Sequence, residues 1–545
     1  MKTVSPSPQA TSGLVAQSGL ETLDQVLRTR AQASPDRVHI HLRRDDGSVR
    51  PITFGELNAG AEAVARGLLS QGLGRGQTVS LMLPTSEEFF FAFLGTLLAG
   101  GIPVPIYPPV RADQIEEYAQ RQTAILRNAE VRTLITFREA RTLARLLGPG
   151  VPSLASVTTV EALIAAGRAQ GQSDKEPELA AWKPTDTALI QYTSGSTGEP
   201  KGVTLTHANI ISNVRAIGHG VQVRPDDVSV CWLPLYHDMG LIGCWLFSLY
   251  FGLPIALSSP IAFLRRPERW LWMIHDHRGT LSPAPNFAYE LCVRKVDTKV
   301  LEGLDLSSWR VALNGAEPIS PETLARFIER FRPYGFRPET LMPVYGLAEC
   351  SVALTFAPLG RPPHIDAIER ETFARHGRAE PACTTEPAPL RFVSVGRPLL
   401  GHEVRIVDAD GRAVPERTEG RLQFRGLSAM SGYFRNPEAT QSILCDGWFD
   451  SGDLAYEAQG EFFITGRVKD VIIKAGRNIY PQEIEEAAGD VPGIRKGCVA
   501  AFGVTDQLHG TERVVVVAET RETRPAVLAD LRAEVTRKLA HIGRP

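Results

Sequence analysis

From about residue 20 onward, apolar positions along the chain alternate between two rhythms. Residues 54–73, FGELNAGAEAVARGLLSQGL, set Leu57, Ala61, Ala65 and Leu68 at helical spacing and predict an amphipathic helix. QTVSLMLP (77–84) follows as an apolar strand, then a helix from 87 to 99, then the strand-like IPVPIY. This alternation continues and predicts an α/β fold of several domains, with parallel sheets covered by helices. Two uncharged runs, 89–110 and 239–264, are long enough to span a bilayer. Prolines and glycines divide each into a helix of about a dozen residues and a short strand, so a buried helix–turn–strand is expected instead.

The pattern also divides the chain. Residues 1–19 read as a flexible arm, and 171–186 as a polar connector before the strand TALIQYTSGS. Residues 357–394 are rich in Pro, Arg and Glu with weak periodicity, the signature of a long surface insertion. A boundary near Lys469 separates a large N-terminal domain (20–468) from a small, mobile α+β domain (469–545). The latter holds two strand-like runs, GCVAAFGV and RVVVVAE, and a helix over 525–540. Pro525 opens that helix, and Leu528, Leu531, Val535 and Leu539 line one face.

Composition narrows the class. With 545 residues, more than one core is expected. A net charge of -2 argues against a dedicated nucleic-acid binder. The seven cysteines are scattered without a Cys-x-x-Cys pair, which is neither a disulfide framework nor a zinc ribbon. The N-terminus lacks the apolar stretch of a signal peptide, so a cytoplasmic location without stable membrane insertion is expected.

The stretch QYTSGSTGEPKGV (191–203) carries the strongest candidate chemistry. It is not a Walker A loop, because Pro200 precedes Lys201, Gly202 follows it, and no Gly-Lys dipeptide occurs in the chain. Hydroxyls of Thr193, Ser194, Ser196 and Thr197, with the N–H groups of Gly195 and Gly198, could surround a pyrophosphate, and Lys201 adds a compact charge. On residue types alone a solvated Gly/Ser turn is an equal alternative. His275 and His277 flank an aspartate but have no metal partner at useful spacing and read as surface.

The run YTSGSTGEPKG resembles the signature loop of the adenylate-forming superfamily, and further motifs occur in that family's order. They are PLYHDMG (234–240), NGAEPI (314–319), YGLAE (345–349), GWFDSGDLAY (447–456) and GRVKDVIIKAGRNIYPQEIE (466–485). The resemblance implies ATP and Mg²⁺ as cofactors, with the Ser/Thr loop on the β- and γ-phosphates. It implies Glu349 as the Mg²⁺ ligand, and Tyr345, followed by Gly346, as the residue that stacks on adenine. The backbone of Gly315, Ala316 and Glu317 would form the opposite wall. Asp453 would bind ribose, with Arg467 as a second ribose or phosphate contact. His237 would orient the carboxylate or gate the acyl pocket; a histidine merely satisfied by Asp238 is the alternative. Leu241, Ile242, Trp245 and Leu246 would line the acyl tunnel, although a plain core helix is equally compatible with them.

PLYHDMGLIG, MPVYGLAECSVALTF and GRNIYPQEIE are most similar to fatty acyl-AMP ligases, and the stretch between Glu349 and Gly396 is long enough for the insertion those enzymes carry. That resemblance implies activation of a medium- or long-chain fatty acid to acyl-adenylate, then transfer to the phosphopantetheine arm of an acyl carrier protein. A fatty acyl-CoA synthetase is the second expectation. The family usually ends in a Ser-Gly-Lys loop with a catalytic lysine, which this sequence lacks; Lys469, Lys474 and Lys496 are not at the matching place. The expectations from that departure are a truncated final domain, with a naturally short form as the alternative, or, in another class, a non-catalytic acyl-AMP or nucleotide-binding protein.

Overall fold

The computed structural model describes residues 19–109, 115–170, 179–193, 200–383, 389–474, 477–506 and 511–539. The first predicted helix runs from Phe54 to Ser70, and Thr53 and Glu56 cap it reciprocally, each side chain accepting from the other's backbone N–H. Leu57, Ala61, Ala65 and Leu68 are fully buried, as the spacing requires. The strand Thr78–Met82, the helix Glu87–Leu98 and the strand Ile102–Ile106 follow. Those two strands and Thr133–Thr136 and Ser156–Thr159 form a four-stranded parallel sheet.

A nine-stranded sheet is the main scaffold. Its centre is parallel, in the order Leu341–Tyr345, Val311–Asn314, Leu281–Ala284, Ser229–Cys231, Ile255–Ser258 and Val38–Arg43. Parallel strands covered on both faces read as continuous apolar runs, which is why these segments carry little alternation. The two uncharged runs fold as expected: each places a buried helical segment before a short strand. Among the described residues, no helix is long and apolar enough to cross a membrane.

Beyond this core lies a five-stranded antiparallel sheet that includes Gly420–Gly426, Trp448–Ala458 and Glu461–Arg467. The stretch 357–394 is less superficial than its composition suggests. It forms the hairpin Ile365–Ile368 with Leu390–Val393 and the helix Arg370–His376, with Phe373 fully buried. Strands and helices this short leave too few repeats for a periodicity to register.

After Lys469 come the hairpin Ile472–Lys474 with Arg477–Ile479, the helix Pro481–Gly489, the hairpin Ile494–Asp506 with Thr511–Thr520, and the helix Pro525–Leu539. Leu528, Leu531, Val535 and Leu539 are its half-buried face. This segment touches the large scaffold at defined points. Ser320 donates to Glu486 Oε1 at 2.6 Å, and Lys496 Nζ lies 3.7 Å from Glu290 Oε1. Phe373 stacks on Tyr480 at 5.6 Å, and Arg370 pairs with Glu483. Of the expected N-terminal arm, only Gly19 lies within the described residues.

Candidate active site

A cleft of about 1970 Å³ opens at the C-terminal ends of the parallel strands, the usual ligand position in open α/β sheets. One corner is a hairpin, Thr187–Thr193 with Lys201–Thr206, in which Thr193 stands opposite Lys201. Both line the cleft. Ser194, Gly195, Ser196, Thr197 and Gly198 belong to the connection between them and lie outside the described residues. A third strand, Gly432–Tyr433, pairs with the hairpin through Val203 and Thr204. It brings Tyr433 to the cleft, with Lys201 Nζ 4.9 Å from the centre of its ring.

The adjacent wall grows from the strand Leu341–Tyr345. At Gly346 the chain turns so closely that a Cβ would stand 1.8 Å from the Val352 carbonyl oxygen. Only glycine fits there, and the tight return presents Glu349 to the cleft on the short helix Ala348–Cys350. The next residue but one, Ser351, is fully buried at φ 63 and donates to the Ser428 carbonyl at 2.9 Å. Backbone strain of this kind persists only where surrounding bonds hold it. Glu349 Oε1 accepts a 2.7 Å hydrogen bond from the Tyr433 hydroxyl. Among the described residues, its Oε2 carries no hydrogen bond.

Tyr345 donates its hydroxyl proton to Asp453 Oδ2 at 2.6 Å. Asp453 and Arg467 are cross-strand neighbours, and Arg467 Nε is 3.5 Å from Asp453 Oδ1, a loose contact on a largely exposed arginine. Burial pushes the Asp453 carboxyl above its ordinary value, against the opposing pull of the Tyr345 bond and Arg467. Ala316, at φ 70, and Glu317 line the facing wall, and Glu317 accepts from the Phe287 N–H. Gly315 sits behind them, buried, where a Cβ would meet the Val344 carbonyl at 2.7 Å.

His237 also lines the cleft and is half exposed to it. Its Nδ1 lies 2.7 Å from Asp238 Oδ1, and the aspartate holds the imidazole above the ordinary histidine value. The pairing with Asp238 and the exposure to the cleft therefore coexist. The Met239 N–H approaches Asp238 Oδ1 at 2.6 Å and His237 Nδ1 at 3.3 Å. Nδ1 thus lies between the Asp238 carboxylate and the Met239 N–H.

The apolar wall differs from expectation. Leu241, Ile242, Trp245 and Leu246 are buried at 0–1% exposure and face away from the cleft. Trp245 packs into Phe89, Phe90 and Phe93 at 4.8–6.2 Å. The cleft is lined instead by Met239, Gly243, Cys244 and Phe247 of the same segment. The segment is apolar on every side, so periodicity gives no phase, and Leu241–Leu246 winds as a π-helix.

The site's surroundings match a known family over most of the chain. Residues 27–434 match the model of the AMP-binding enzyme family. The chain belongs to that family. A protein of Caulobacter vibrioides, named provisionally as an acyl-CoA synthetase, is 35% identical over 521 residues, covering 94% of this chain and 88% of the relative. The medium-chain-fatty-acid–[acyl-carrier-protein] ligase JamA of Moorena producens is 33% identical over 522 residues, covering 92% and 86%. A structure from work on fatty acyl-adenylate ligases of E. coli and L. pneumophila superimposes with a TM-score of 0.89 at 35% identity, covering 96% of this chain and 92% of that one.

In this AMP-binding enzyme, Asp453 and Arg467 lie beyond the matched stretch, on strands that return to the same cleft. Two groups of cleft residues went unread in the sequence. Tyr433 sits in a two-residue strand whose only signal is a Gly-Tyr pair before the helix Pro437–Gln441. Gly243, Cys244 and Phe247 were one helical face away from the side chains the sequence suggested.

Proposed function

We propose that the cleft activates a fatty acid with ATP, giving acyl-adenylate and pyrophosphate, and then passes the acyl group to the phosphopantetheine thiol of an acyl carrier protein. The observation that carries this reading is that one cleft joins the Thr193–Lys201 hairpin, Glu349 and Asp453 to an apolar wall beyond His237. A nucleotide and an aliphatic carboxylate can meet there. Catalysis of this reaction is chiefly positioning and charge neutralisation.

The donors fit a magnesium nucleotide. Among the described residues no cluster of three or more His, Cys, Asp or Glu could hold a metal by itself. A cation beside Glu349 Oε2 would take its remaining oxygens from phosphate and water, the habit of Mg²⁺. When bound, Mg²⁺ offsets the negative charge that develops on the phosphates. Glu349 is assigned as its protein ligand. Lys201, with the hairpin connection, is assigned to the pyrophosphate end, Tyr345 and the Ala316–Glu317 backbone to adenine, and Asp453 with Arg467 to ribose. His237, half exposed to the cleft, orients the incoming carboxylate.

The chain after Lys469 is read as a small domain moving against residues 20–468, restrained by the insertion through Phe373–Tyr480 and Arg370–Glu483. That restraint, and the name of the relative JamA, favour a carrier protein over free CoA as acceptor. Mass spectrometry of products from Mg-ATP, fatty acids of mixed length, CoA and a phosphopantetheinylated carrier protein tests the reading. Acyl-adenylate with acylated carrier is expected. Acyl-CoA would move the acceptor to the synthetase reading, and binding of an acyl-AMP analogue without turnover would leave a non-catalytic binder.

A further inference from the structure

From Asp238 to Tyr250 every residue is buried except Gly243. A glycine inside a helix lowers stability by about 1 kcal/mol relative to alanine, so it needs a reason. Its neighbour Gly240 has one: a Cβ there would meet the Pro234 carbonyl oxygen at 2.4 Å. Gly243 has none of the usual ones. Its φ is not left-handed, and a Cβ would touch only the Val352 Cγ2, at 3.9 Å. A methyl group, or a larger side chain, would project into the cleft rather than into protein.

The position along the cleft gives this bare backbone its meaning. His237 marks the nucleotide end, beyond the C-terminal end of the strand Ser229–Cys231. Ser248, further along the helical segment, donates to Ser229 Oγ at 2.8 Å, at the opposite end of that strand. Ser229 and Leu281, paired in register, still line the cleft there. The cleft therefore follows the helical segment from His237 toward Ser248, on the order of 15 Å at helical rise. Gly243 stands about midway, opposite Val352.

We propose that Gly243 is the specificity-determining residue for acyl length: its missing side chain leaves the bore open so that an unbranched chain passes into the limb walled by Phe247, Ile217, Val221 and Leu281. The inference rests on the fatty-acid reading above and extends it to one residue. A side chain at this place stops the acyl chain about halfway, and each methylene excluded from the apolar limb loses roughly fourfold in kcat/KM. The π-helical winding fits this role, since such turns gather at functional sites.

The test is pyrophosphate release with Mg-ATP and saturated acids from hexanoate to hexadecanoate, for the full chain and for Gly243→Ala and Gly243→Leu, with Tm for each. Both variants are expected to fold with Tm unchanged or higher, because alanine and leucine favour helix over glycine. Gly243→Leu is expected to keep hexanoate turnover within a few-fold and to lose at least tenfold on the longest acids, with Gly243→Ala intermediate. An unchanged length profile in a folded Gly243→Leu protein overturns the assignment, as does equal loss on hexanoate and hexadecanoate. If leucine prevents folding, the alanine variant decides, since its methyl group fits at ordinary contact distance. Absence of turnover on every fatty acid by the unsubstituted chain overturns the proposed function itself, an outcome distinct from failure of the Gly243 assignment alone.

Discussion

The hydroxyl of Tyr433 donates to Glu349 Oε1 at 2.7 Å while the same ring faces the Lys201 ammonium at 4.9 Å. One side chain thus ties the stem of the Ser/Thr hairpin to the carboxylate across the cleft. Its strand is hydrogen-bonded to the hairpin at Val203, and the Met430 N–H donates to the Glu349 carbonyl at 2.8 Å. The distance between anion and cation is therefore set by backbone pairing rather than by loop chemistry.

Tyr433→Phe removes the hydrogen bond and keeps the ring over Lys201. A hydrogen bond to a charged group contributes about 1.5–3 kcal/mol, so a fall of roughly tenfold or more in ATP-dependent turnover is expected. The Mg²⁺ concentration needed for half-maximal rate should rise as Glu349 loses its fixed orientation. Titration of rate and of ATP-analogue binding against Mg²⁺ checks this; an unchanged Mg²⁺ dependence would separate Tyr433 from the cation.

Glu349→Gln keeps the Tyr433 contact and discards the charge. Its expected result is loss of most pyrophosphate release, with circular dichroism and Tm close to the parent. Turnover at the parent rate would remove Glu349 from the nucleotide site.

The His237–Asp238 pair gives a pH dependence with a definite sign. Asp238 raises the imidazole pKa, so the stabilisation from pairing is complete below the ordinary histidine value and is lost as pH rises through the raised one. With His237 charged, binding of the fatty carboxylate should be tightest on the acidic side, and KM for the acid should climb with pH. Asp238→Asn should shift that climb to lower pH. A KM–pH profile from about 6 to 9 for both proteins decides it, and coincident curves would detach His237 from the carboxylate.

Glu461 anchors the start of the insertion. Burial alone would raise its carboxyl, but Arg361 at 2.8 Å, Ser394 at 2.6 Å and His364 at 3.3 Å hold it down to about 2. Its contribution is complete above the ordinary glutamate value of 4.5 and disappears as pH falls toward 2. Glu461→Gln leaves the half-exposed Arg361 facing a neutral amide and should destabilise the fold by about 1–2 kcal/mol at neutral pH. Urea unfolding at pH 7 and near pH 3 should show that difference shrinking with acid; a constant difference would contradict the assignment.

The strand and helix positions between residues 54 and 106 were legible because a period of 3.6 or 2 registers wherever one face is polar or a run is cleanly bounded, as at Phe54–Ser70, whereas the helix Leu23–Ala33 and the strands Val38–Arg43 and Val49–Thr53 were not placed. The motif order was legible too, because YTSGSTGEPKG, YGLAE and the Ser-Gly-Asp of 451–453 are local in the chain. The insertion was legible as an extra stretch but not as a packed hairpin and helix, whose partners Tyr456 and Tyr480 lie far along the sequence.

By itself, then, the sequence determined the order of elements, the family resemblance and the residues near each motif, since these depend on neighbours along the chain. Only the tertiary structure decided that Gly243 and Phe247, not Leu241 and Trp245, face the cleft, because a segment apolar on all sides is phased by what packs against it. It also decided that Tyr433 meets Glu349, 84 residues away, because that contact is made by sheet pairing and leaves no periodic trace in either segment.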